Sequence, residues 1–80
     1  MHLSNLLEIP PENVSHNSKI KKQVLLKNNI IPNMTQFAIS TFPPGEIAFT
    51  HSHQDMNEIF YVQSGNGLAI VDGVQHHLKP

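Results

Sequence analysis

From residue 34 onward the chain is cut into short, strand-like segments by turn-forming residues, and no stretch has a helical period. The segments are 34–42 (MTQFAISTF), 47–53 (IAFTHSH), 58–64 (EIFYVQS), 68–71 (LAIV) and 74–78 (VQHHL). Between them lie Pro43-Pro44-Gly45, residues 54–57, Gly65-Asn66-Gly67 and Asp72-Gly73. Asp72-Gly73 between Val71 and Val74 is the strongest hairpin signal, because a two-residue type I′ turn needs positive φ at both central positions. Regular short strands at this spacing predict an all-β, antiparallel sandwich or barrel.

The first third reads differently. Pro10-Pro11 stops any helix, the His16-Asn17-Ser18 stretch reads as a turn, and the first twenty residues are expected to be irregular. Residues 21–27 (KKQVLLK) form a candidate first strand, and 28–33 (NNIIPN) a loop that Pro32 keeps extended. The expected organisation is an N-terminal arm over 1–33 with one possible strand, followed by a β unit over 34–80.

Eighty residues allow one domain with a thin core, since a chain of this size buries only about 60% of its unfolded surface. Charged residues make up 14%, against about 25% in typical globular chains, and apolar residues 39%. That balance disfavours disorder. A net charge of −1 provides no long-range attraction to nucleic acid or anionic membranes. All five basic residues are lysines, so the planar guanidinium fork that grips phosphates and carboxylates is missing and a doubly anionic substrate is disfavoured. Lys19, Lys21 and Lys22 read as a solvated face. With no cysteine, any transition-metal site must be built from imidazole and carboxylate. Residues 1–14 have neither the basic n-region nor the apolar run of a signal peptide and no stretch reaches membrane length, so the expectation is a soluble, cytoplasmic protein without nucleic-acid or membrane partners.

Residues 51–58, HSHQDMNE, concentrate two histidines and a glutamate in one short span. On a strand, residues two apart share a face, so His51 and His53 point the same way, with Ile47 and Phe49. If residues 54–57 reverse the chain and the register brings Glu58 near His53, three ligand atoms converge above a floor of Phe49, Phe60 and Val62. Two imidazoles and a carboxylate on one face leave coordination positions open opposite them. The His-x-His pair alone is weak evidence, because strand histidines are often plain surface or core residues. The longer spacing is more specific: Gly45, five residues, His51, one, His53, four, Glu58, six, Gly65.

This spacing resembles the first conserved motif of the cupin superfamily and matches it at every specified position. The resemblance covers about residues 34–80. It implies a jelly-roll β-barrel with a metal inside, with His51, His53 and Glu58 as metal ligands and Gly45 and Gly65 as turn glycines framing the two strands. The family's second motif supplies a fourth histidine ligand and the closing strands, and this sequence reaches only its opening, so the resemblance implies a barrel incomplete at the C-terminus. His76 and His77 match no family ligand and read as ordinary strand positions. His2 and His16 read as solvent-exposed, Met56 and Tyr61 as packing residues, and Asp55 as a turn residue.

Two function classes share these ligands. One is a small-molecule metalloenzyme of dioxygenase, decarboxylase or isomerase type, using Fe, Mn, Ni, Zn or Co; no catalytic residue beyond the ligands is identified. The other is a non-catalytic binding or regulatory module in which the metal is structural. A fragment with an incomplete, empty site is the bland alternative. Because closing strands are missing, a homodimer is expected, with segment 1–27, which has no evident place in its own barrel, as a candidate for exchange between copies.

Overall fold

The computed structural model describes residues 1–15, 17–48 and 57–80. The fold is all-β, with antiparallel strands in two sheets and one short 3-10 turn over Leu6–Glu8. The first sheet has the order β1 (Glu12–Val14), β2 (Asn17–Leu26), β3 (Phe37–Thr41). The second is a hairpin of β4 (Gly67–Val71) and β5 (Val74–Leu78). Among the described residues no helix is long and apolar enough to cross a membrane.

The hairpin follows directly from its turn residues. Val71 pairs with Val74, and Asp72 and Gly73 take φ of 50° and 77°, the positive values that a type I′ turn demands. Three further turns use the same chemistry in its type II form, which requires φ > 0 at the third residue. Pro43-Pro44-Gly45-Glu46 places proline second and Gly45 third at φ 84°, closed by Glu46 N–H donating to the Pro43 carbonyl at 3.2 Å. Ile31-Pro32-Asn33-Met34 repeats the pattern with Asn33 at φ 66°, and Lys27–Ile30 does so with Asn29 at φ 68°. The loop over 28–33 is therefore folded into two consecutive turns instead of extended, because asparagine tolerates the left-handed region that each turn needs.

The N-terminal third is more ordered than its sequence implies. β2 begins at Asn17, inside the expected turn, and β1 precedes it. Long-range pairing decides this. Glu12 faces Lys22 and Asn13 faces Lys21 across the β1–β2 ladder, while Lys21–Leu26 pair with Phe37–Thr41 of β3. Segment 1–27 thus has a partner in its own chain. The three lysines expected on a solvated face each reach an internal acceptor: Lys22 Nζ lies 3.9 Å from Glu12, Lys21 donates to Asn13 and the Ser18 carbonyl, and Lys19 faces Glu46 at 3.7 Å.

Residues 58–64, expected as a strand, are not one. β propensity does not hold a strand without a ladder partner, and no strand among the described residues pairs with this segment. Its expected hairpin partner, 47–53, lies mostly outside the described residues. The core is as thin as the chain length implies. Ile20, in the strand with neighbours on both sides, is the one fully buried apolar residue among those described.

Candidate functional site

The frame around the expected ligands begins at the Pro43–Glu46 turn. Adding a Cβ at Gly45 would meet nothing within 4 Å, so what glycine supplies there is conformation, not space. Immediately after it, Glu46 and Ile47 are held by the start of β2. Asn17 Nδ2 donates to Glu46 Oε2 at 2.9 Å and to the Ile47 carbonyl at 3.2 Å. The second carboxylate oxygen of Glu46 faces Lys19 Nζ. Sequence reading missed Asn17 and Glu46, since nothing local links residues 29 positions apart.

At the far end, Gly65 also takes φ 84° with open space around its α-carbon, turning the chain into β4. Between the two glycines, His51 and His53 lie outside the described residues, as do Phe49, Asp55 and Met56. Glu58 is described and exposed, and it engages a partner within the chain. Phe60 is 81% exposed and Val62 half-buried. Tyr61, expected to pack, is instead 89% exposed, and no strand among the described residues pairs with 58–64 to receive it. Among the described residues no group of three His, Asp or Glu side chains gathers at one point. Two surface depressions among the described residues lie away from the motif: one is a shallow polar depression at Asn28, Asn29 and Asn33, the other a cleft at His2, Ser4 and Phe37.

His2, His76 and His77 are exposed at the surface. His76 and His77 stand opposite Ala69 and Leu68 on β5, both exposed. His2 Nε2 lies 3.2 Å from Ser4 Oγ at the surface. His16 lies outside the described residues.

No curated protein and no solved structure matches the chain significantly. The family described as "Cupin domain" matches residues 38–80. That span covers more than half of the chain and includes both framing glycines, the two histidines and Glu58. The all-β antiparallel architecture agrees with it. This chain belongs to the cupin-domain family.

Proposed function

We propose that the protein is a metal-binding cupin that acts on a small molecule, with His51, His53 and Glu58 holding a divalent transition metal. The observation that carries the reading is the complete Gly45–Gly65 spacing inside the matched residues 38–80. Both glycines that bound it adopt positive φ, which supports their role as the turns of that frame. The donor set fits the ion: two neutral imidazole nitrogens and a carboxylate oxygen, in a chain without a thiol, suit Fe, Mn, Co, Ni or Zn.

Bound there, such an ion supplies Lewis acidity and, for the redox-active metals, oxygen chemistry at its open positions. The chain's own contribution is to fix the donors and to present Phe49, Phe60 and Val62 as an apolar surface that displaces water from the small molecule. The absence of arginine favours a neutral or singly charged ligand over a phosphorylated one.

The functional unit in this proposal is a soluble homodimer, with no nucleic-acid or membrane partner. Ile59, Phe60 and Tyr61 are consecutive and 81–95% exposed, and Leu68, Ile70, Val71 and Val74 of the hairpin are more than half exposed. An exposed apolar run such as 59–61 is of the kind that marks an interface; Leu68 and Ile70 share one face of the hairpin and Val71 and Val74 the other, and a two-stranded hairpin is marginal without further cover. A second copy, docked about a two-fold axis, covers the same patch on both chains at once.

Elemental analysis of untagged protein tests the metal assignment. Wild type should retain transition metal that His53→Ala and Glu58→Ala lose, and equal metal content in all three would overturn it. Metal-dependent turnover or oxygen uptake with candidate small molecules then separates a catalyst from a binding module that uses the same ligands.

A further inference from the structure

Of the eight asparagines, Asn66 alone precedes a glycine. At such a junction the asparagine carboxamide is open to attack by the next backbone nitrogen, because glycine has no side chain to block the approach and a freely rotating main chain. The fold then decides which asparagines can use this chemistry. Asn17, followed by the small Ser18, is tied at both ends of its amide. Its Oδ1 accepts from Lys19 N–H at 2.9 Å, and its Nδ2 donates to Glu46 Oε2 and the Ile47 carbonyl. Asn29 and Asn33 are held in closed turns at φ 68° and 66°. Asn66 is exposed, and among the described residues nothing holds its carboxamide.

The attacking nitrogen sits at the weakest point of the hairpin. Val71 and Val74 flank the two-residue turn as a hydrogen-bonded pair, and alternation along the antiparallel ladder makes Gly67–Leu78 another such pair, the last rung. Gly67 N–H becomes free when that rung frays, which costs little at the open end of a two-stranded hairpin. The fold does not itself require glycine there. Gly45, Gly65 and Gly73 take positive φ, whereas Gly67 does not, and a Cβ built on it meets only the Leu78 side chain, at an ordinary 3.9 Å.

We propose that Asn66-Gly67 is a site of spontaneous backbone modification, at which asparagine converts to aspartate and isoaspartate through a cyclic imide. The Gly67 nitrogen, its proton lost to solvent base, bonds to Asn66 Cγ. The Cγ–Nδ2 bond breaks, and the nitrogen leaves as ammonia with a proton taken from water. Water then adds to one of the two imide carbonyls. Cleavage at Cγ leaves aspartate. Cleavage at the original backbone carbonyl leaves isoaspartate, whose main chain runs through Cβ and Cγ and is longer by one carbon. Either product adds one negative charge to a chain of net charge −1. Isoaspartate also shifts Gly67 away from Leu78, so the ladder loses its last rung while the Asp72-Gly73 turn is kept.

The test incubates wild-type protein in mildly alkaline buffer and follows its peptides by mass spectrometry, with isoaspartate read by an isoaspartate-specific methyltransferase. The Asn66 peptide should gain the mass difference between OH and NH2 before any other asparagine converts. Conversion should be faster at higher pH, with isoaspartate in excess of aspartate. Asn17 should stay intact in the folded chain and begin to convert in denaturant, once its contacts are gone. Gly67→Ala should keep the wild-type melting temperature yet convert several-fold more slowly, and Asn66→Gln should abolish the site. In aged wild type, hydrogen exchange should be faster at Gly67 and Leu78 and unchanged at Val74. An Asn66 that stays intact in the folded chain while converting in denaturant would overturn the proposal, as would Gly67→Ala converting at the wild-type rate.

Discussion

The Gln23 side-chain amide donates to two carbonyls of the N-terminal segment, Ile9 at 2.8 Å and Leu6 at 3.0 Å, and so closes the 3-10 turn against the middle of β2. Asn5 caps the other end of that turn, its side chain accepting from Leu7 N–H at 3.0 Å. One long-range side chain thus makes two of the contacts that anchor residues 5–9. Gln23→Ala removes both donors from partly buried carbonyls, and each lost bond is worth about 1 kcal/mol. Chemical unfolding should show a destabilisation of about 1–2 kcal/mol, and protease cleavage near residues 5–9 should accelerate. Unchanged cleavage would mean that the segment is held by something else.

Ile20 provides a sharper test of the core, since it is the one described apolar side chain fully removed from water. Truncating a buried isoleucine to alanine costs about 2–5 kcal/mol, a large part of what a domain of this size possesses. Ile20→Ala should lose its cooperative melting transition or shift it strongly downward, whereas Ile30→Ala, at a half-exposed site, should melt within a few degrees of wild type.

Gly45 and Gly65 both sit at φ 84° with no atom within 4 Å of a built Cβ. Alanine at either site meets backbone strain alone, about 1 kcal/mol or more. D-alanine, introduced by chemical synthesis, prefers positive φ and should be tolerated or stabilising at the same positions. Equal melting temperatures for the L- and D-alanine forms would show that these glycines do not need the left-handed conformation.

The exposed run Ile59-Phe60-Tyr61 bears on assembly. Sedimentation at micromolar concentration should report a dimer, and Tyr61→Lys should shift it toward monomer by placing two like charges across the two-fold axis. A wild-type chain that stays monomeric across that concentration range would remove the second copy from the proposal.

The sequence by itself determined the features that depend on a few adjacent residues. Asp72-Gly73 specified the β4–β5 hairpin and its register, because the turn geometry admits few other residues. Pro44-Gly45 specified the turn at the head of the motif, and the Gly45–Gly65 spacing pointed to the cupin family before any fold was known. Tertiary structure decided what depends on partners far away in the chain. Residues 17–20 became strand because Asn17 pairs with Val14 of β1 and the strand runs on into the ladder of Lys21–Leu26 with β3, although His16-Asn17-Ser18 reads locally as a turn. Residues 58–64 have a good strand composition, but no strand among the described residues pairs with them, and β propensity does not hold a strand without a ladder partner. The joining of Asn17 to Glu46 was equally illegible in the sequence. Its two residues are ordinary polar side chains, and only the path of β2 past the Pro43–Glu46 turn brings donor and acceptor within 2.9 Å.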